Sequence, residues 1–218
     1  MTFVIEGQVF MPNTDAGFFA GASYYIGDIN PRRQFYNPEL ALGVMVKHNF
    51  TEHHSLRLNA FWGQLNGNDL DFDNEYQKTR AHSFKTTLAD CHVGYEFNFS
   101  PYIIGSRQTT AHTTYIFAAV GYSLVLSSTT GMATDHVTIP FGVGFKYRFN
   151  EKMTFGVEWG MRKTFDDKID GLLNPGPDGS YAETRNNDWY SFAGVYLTFR
   201  VFEKKFKCPG VIEPRTYK

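Results

Sequence analysis

The sequence predicts an all-β fold: an eight-stranded antiparallel transmembrane β-barrel with a filled polar interior. Three observations predict it. Residues 137–149 alternate two incompatible surfaces, with Val137, Ile139, Phe141, Val143, Phe145, Tyr147 and Phe149 on one parity and Thr138, Pro140, Gly142, Gly144, Lys146 and Arg148 on the other. Side chains of a strand point alternately to opposite faces, so this strand has one apolar wall and one wall of glycine and charge. The second wall is a poor core for a protein in water, whereas an apolar outside around it fits a barrel in lipid. The pattern recurs eight times along 218 residues, which fit one domain. Aromatic residues at 17% accompany 20 glycines, a pairing expected of barrels with aromatic girdles.

The segments follow in order. Residues 16–26 place Gly17 and Gly21 inward, and 39–50 place Gly43 and Lys47 inward. In 55–65, Leu56, Leu58, Ala60 and Trp62 face outward and Arg57 and Gly63 inward. In 86–99 the outward set is Ala89, Cys91, Val93, Tyr95, Phe97 and Phe99, opposite Asp90, Gly94 and Glu96. Segment 113–126 turns Gly121 inward, and 137–149 is described above. In 153–165, Phe155, Val157, Trp159 and Met161 oppose Gly156, Glu158, Gly160 and Arg162. In 189–202, Ala193, Val195, Leu197, Phe199 and Val201 oppose Gly194 and Arg200. Twelve residues span roughly 40 Å, and a tilt near 45° leaves roughly 28 Å of height, the apolar band of an outer-membrane barrel. Pro140 removes a ladder donor, so a bulge or a local gap is expected there.

The connections alternate in length. Short ones, 51–54 and 150–152, and a medium one, 100–112, follow even segments; long ones, 27–38, 66–85, 127–136 and 166–188, follow odd segments. That is the outer-membrane arrangement, with short turns and both termini in the periplasm. Tyr24, Tyr36, Phe50, Phe99, Phe149, Phe165, Trp189 and Phe202 lie near segment ends, where aromatic belts are expected. The expected organisation is a periplasmic N-terminal segment at 1–15, a barrel at 16–202 and a periplasmic tail at 203–218.

Composition narrows the function. A formal charge of −1 and a pI near 6.6 give no footprint for nucleic acid. No window approaches 18 uninterrupted apolar residues, which argues against a transmembrane helix. Mean hydropathy of −0.34 looks soluble, but a spanning strand is apolar only at alternate positions. Cys91 on an apolar parity and Cys208 in the tail are not expected to pair. The start, MTFVIEGQVF, lacks the basic and apolar regions of a complete signal peptide, although an outer-membrane location requires export.

An eight-stranded barrel encloses just enough space for its own side chains. The inward cations Lys47, Arg57, Lys146, Arg148, Arg162 and Arg200 and the inward anions Asp90, Glu96 and Glu158 are therefore expected to form one paired network plugging the lumen, with glycines making room for the long charged chains. Asp69, Asp71, Asp73 and Glu75 resemble a calcium loop, but Asn74 and Arg80 stand where an EF-hand needs Gly and Glu, so a solvated acidic loop is expected. His48, His53 and His54 near one turn read as a hydrated turn. His92 and Asp90 share an inward face without a convincing Ser partner, and no enzyme is expected. The tail carries Lys204, Lys205, Lys207 and Cys208, read as a basic end that could serve as a periplasmic docking peptide, with Cys208 able to form an intermolecular disulfide.

GASYYIGDINP (21–31), IPFGVGFKYRF (139–149), FGVEWGMRKTF (155–165) and NDWYSFAGVYLTF (187–199) resemble the PorG-like family of Bacteroidota over residues 20–202. The loops at 66–85 and 172–187 depart from it. The family comprises small outer-membrane barrels of the type IX secretion system, which is coupled to gliding motility. The resemblance implies an outer-membrane location, lipid contacts, and association with a periplasmic ring built from a lipoprotein and its partner. No cofactor, metal, nucleic acid or small-molecule substrate is expected. Two other readings are an OmpX-like surface-interaction barrel acting through its long loops, and a soluble lipocalin-like carrier, which would need the reverse polarity.

Overall fold

The computed structural model describes residues 13–30, 32–102, 110–150, 152–165, 169–171 and 188–203. The strands are β1 (Asn13–Ile26), β2 (Glu39–Asn49), β3 (His54–Asn68), β4 (Ser83–Asn98), β5 (His112–Ser128), β6 (His136–Arg148), β7 (Met153–Thr164) and β8 (Trp189–Glu203). Each pairs antiparallel with its sequence neighbour, and β1 pairs with β8, closing the barrel β1 to β8. All eight expected segments are strands. Several run further at the long-loop end, hereafter the crown, because ladder pairing continues through Gln64↔Thr87 and Asn66↔Lys85 after the outer face has turned polar. No helix among the described residues is long and apolar enough to cross a membrane; in this architecture the strands would do so.

β1 begins at Asn13, before the expected boundary at residue 16, so Asn13, Thr14 and Asp15 belong to the barrel. A register shift between Thr14 and Asp15 lets this first turn of β1 follow β8 to Glu203. At Pro140 the structure shows a gap: β5–β6 pairing is continuous to Ala118↔Phe141 and resumes in the same register at Gly121↔Thr138. The register is unchanged, so there is no bulge. β7 still pairs opposite, at Pro140↔Arg162. Proline has no amide hydrogen to donate, so the ladder lapses on one side only.

The outer wall is apolar around the whole barrel. Leu42, Val44, Leu58, Val93, Ile116, Val143, Val157 and Val195 each expose between 42% and 57% of their surface. At the short-turn end Phe50, Phe99, Phe149 and Phe202 form an exposed aromatic ring. Tyr24 and Tyr36, expected in a belt at the opposite end, are instead buried. The β1–β2 connection folds back over Tyr24, where Gln34 accepts a hydrogen bond from Tyr24 Oη at 2.8 Å, and Tyr36, in that connection, packs against the β3–β4 connection, with Phe72 5.0 Å from its ring.

The described part of the crown carries structure of its own. A 3₁₀ turn, Asp69–Asp71, leads into the short helix α1 (Glu75–Arg80), capped by the Asn74 side chain and ended by Ala81 in the left-handed region. Gln77 Nε2 donates to the Ile29 carbonyl at 2.9 Å, and His82 Nε2 lies 2.8 Å from the Asp170 carbonyl. Ile29 and Ile169, both fully buried, join Leu65, Phe84 and Leu88 in closing the mouth.

Candidate functional site

The interior is two ionic clusters separated by an aromatic layer. Near the short-turn end, Glu96 on β4 accepts from Lys146 Nζ at 2.6 Å and meets Arg57 Nη1 at 3.5 Å. Lys47 Nζ makes an ion pair with the same carboxylate at 2.9 Å, without hydrogen-bond alignment. Arg57 Nη2 donates to both oxygens of Glu158, at 2.9 and 2.8 Å, and Tyr115 Oη donates to Glu158 at 2.6 Å. Two carboxylates thus balance most of three buried cations, each also facing a ring: Arg57 over Phe117 at 4.2 Å, Lys47 over Tyr196 at 4.4 Å and Lys146 over Tyr102 at 4.7 Å.

Toward the crown, Asp90 accepts from Arg162 Nε at 3.2 Å, with His92 Nδ1 3.6 Å away. Arg162 also donates to the Gly160 carbonyl at 2.8 Å and lies 4.4 Å over Phe192. Between the clusters pack Phe19, Phe61 and Phe192, with ring centroids 4.8 and 5.4 Å apart. Asn59 bridges this layer. With its amide oxygen turned toward them, it accepts from Arg57 Nε and from His92 Nε2, each at 2.8 Å.

The paired network takes the form of two ionic clusters linked through Asn59. Lys47, Arg57, Asp90, Glu96, Lys146, Glu158 and Arg162 are buried as expected. Arg148 and Arg200 are half-buried at the short-turn rim, where Arg200 Nε is 4.0 Å from Asp15. Asp15 is an interior anion that the sequence reading placed outside the barrel; extending the Gly17 parity backward by one step would have found it. The aromatic layer was missed because inward residues were chosen by polarity, whereas Phe19, Phe61, Phe117, Phe192, Tyr115 and Tyr196 share the glycine parity. The glycines make room mostly for these rings. A Cβ on Gly144 would overlap the Tyr115 ring, and one on Gly43 would overlap Phe61.

The other candidate groups do not converge. Asp69 accepts from Arg80 at 2.6 and 2.7 Å and from the His82 amide, Asp71 accepts from Tyr36 at 2.6 Å, and Asp73 pairs with Lys78 at 3.0 Å. The segment is thus a folded turn and helix in place of a loop, with Asp71, Asp73 and Glu75 solvent-exposed as expected and Asp69 buried, and among the described residues no group of three ligand side chains is placed to hold a metal. Burial pulls Asp69 upward, but the Arg80 bonds outweigh it and hold the carboxyl below its ordinary range. Burial, then the Asp71 bond, pushes Tyr36 up to about 12. His48 bonds Thr14, His53 the Asn98 carbonyl, and His54 the Tyr95 hydroxyl, so each has its own partner. Ser123 lies 3.5 Å from Asp90 and bonds Tyr190, not His92. The serine thus donates weakly to the Asp90 carboxylate, has no histidine on it, and is fully buried. Lys204, Lys205, Lys207 and Cys208 lie outside the described residues.

A closed antiparallel eight-stranded barrel, apolar outside and packed with ion pairs inside, defines a β-barrel of the kind that sits in a lipid bilayer. The chain belongs to the family described as a domain of unknown function, DUF6089, which matches residues 2–210. No curated protein matches the chain by sequence. Among solved structures it is similar to Neisserial surface protein A, NspA (TM-score 0.48, 7% identity, covering 87% of this chain and 97% of that one). It is also similar to the outer membrane protein OprG from Pseudomonas aeruginosa (0.47, 13% identity, 87% and 97%). A third is Ail, the attachment invasion locus protein of Yersinia pestis (0.44, 8% identity, 88% and 98%). These are likenesses between chains of dissimilar sequence.

Proposed function

We propose that this chain is a non-enzymatic outer-membrane component of a type IX secretion system in Bacteroidota. In this role it helps anchor or organise the periplasmic lipoprotein ring at the outer membrane and so serves protein secretion and gliding motility. The observation that carries a structural role is the filled lumen. Among the described residues, buried ion pairs and stacked rings fill the lumen between the apolar walls, which favours activity at the rims, the loops or the tail. The choice of secretion system rests on the resemblance of 139–149, 155–165 and 187–199 to the PorG-like family.

The test is purification from the native outer membrane in mild detergent, with the full chain and with a form lacking residues 204–218. A lipoprotein ring recovered with the full chain alone makes the tail, with Lys204, Lys205, Lys207 and Cys208, the dock. Recovery with both forms moves the contact to the short turns. A barrel recovered alone in both cases overturns the proposal. The folded crown favours a second reading, an OmpX-like surface-interaction barrel, under which deletion of 69–82 and not tail truncation abolishes the phenotype.

A further inference from the structure

The described cations of the crown fall into two sets. Lys78, Arg80 and Lys85 are paired with Asp73, Asp69 and Glu39. Arg32, Arg33 and Lys163 make no ion pair with a carboxylate among the described residues. Two of these three face aromatic rings instead: Arg33 lies 5.0 Å over Phe72, and Lys163 lies 5.7 Å from the Trp189 ring.

Their surroundings are built for an interface. Lys163, on the outward parity of β7, pairs across the sheet with Trp189 of β8, which pairs with Ile26 of β1. Next to them the outward parity of β8 and β1 carries small residues, the buried Ser191 and the half-buried Ala193 and Ala22. Trp159 crosses this low surface and donates from Nε1 to Tyr24 Oη at 2.8 Å. Tyr24 in turn donates to Gln34, and the Phe35 ring stacks 4.9 Å from it. The loop bearing Arg32 and Arg33 is thereby tied to the outside wall of the barrel at Tyr24, as well as to its mouth through Ile29 and Tyr36. Phe35 holds a φ of 57° and remains 54% exposed. A left-handed backbone at a bulky aromatic is strained, and such strain marks sites of function.

We propose that this side of the crown, Arg32, Arg33, Lys163, Trp189 and Phe35, binds the phosphate-bearing headgroup of an outer-leaflet glycolipid. The fit is one of charge and height. Unpaired guanidinium and ammonium groups meet phosphate, while the aromatic rings sit at the boundary between headgroup and acyl chain. The inference rests on the outer-membrane reading, with the long loops facing outward.

The test is native mass spectrometry of the full chain in detergent with added bisphosphorylated lipid A, its dephosphorylated form, and phosphatidylethanolamine. The expected result is retention of bisphosphorylated lipid A in preference to the other two. Each of R32Q, R33Q and K163Q should weaken retention about fivefold, and the triple variant about a hundredfold. Heat-modifiable gel mobility of each variant separates loss of binding from loss of fold. Equal retention of the dephosphorylated lipid, or unchanged retention by the folded triple variant, overturns the proposal. A protein that co-purifies through these same three residues, with lipid retention unaffected, overturns it in favour of a protein partner. Membrane fractionation of the native chain tests the location separately, since a chain found elsewhere would undo that reading whatever the lipid result.

Discussion

Glu158 holds Arg57 through two hydrogen bonds and Tyr115 through a third, all inside the barrel. Removing the carboxylate leaves a buried guanidinium short of its main partner, a change that costs roughly 3–5 kcal/mol. Glu158→Ala is therefore expected to lower the unfolding midpoint sharply in a heat-modifiability or urea series in detergent. Glu96→Ala should do the same by stranding Lys47 and Lys146. Space is as constrained as charge. Gly144→Val should destabilise the barrel by about 1–3 kcal/mol through overlap with the Tyr115 ring. Adding Tyr115→Ala should recover part of that loss, measurable in the same series. At this scale the sequence revealed the inward charges other than Asp15, because polarity and parity coincide at Lys47, Arg57, Asp90 and Glu96. It did not reveal which charges meet. Glu158 on β7 reaches Arg57 on β3 across the lumen, a pairing set by strand tilt and stagger and absent from any local spacing.

At the scale of elements, the strands were legible because a two-residue period survives wherever one face is lipid-like. β6 and β7 carried it without interruption. The crown was not legible. Its helix α1 spans 6 residues and owes its place to Asn74 and to the Arg80–Asp69 pair, not to periodicity. That pair gives a pH dependence. Asp69 is depressed below its ordinary value of 3.8, so its contribution is present above that pH and is lost as pH falls through the lower folded value. Amide hydrogen exchange of 69–82 is expected to quicken below about pH 4, with β3 and β4 unaffected. Arg80→Ala should produce the same quickening at neutral pH and abolish its pH dependence. Equal protection of this segment at pH 3 and pH 7 in the unmodified chain would contradict the assignment.

At the scale of the molecule, the alternation of short and long connections sets an orientation. The short turns at 50–53 and 149–152 lie at one end with both strand termini, and the folded crown lies at the other. Cysteine introduced at Tyr76 should react with an impermeant maleimide on intact cells, and cysteine introduced at Thr51 only after the outer membrane is opened. The two ionic clusters and the aromatic layer between them bear on the central claim, that the lumen is a plug and the working surfaces are the rims. Conductance of the purified full chain in a planar lipid bilayer tests it most directly. A barrel filled by Arg57, Glu158, Phe61 and Phe192 should insert without any steady conductance above that of the bare membrane. A stable, reproducible open channel would show that the interior is a pathway and would contradict the account.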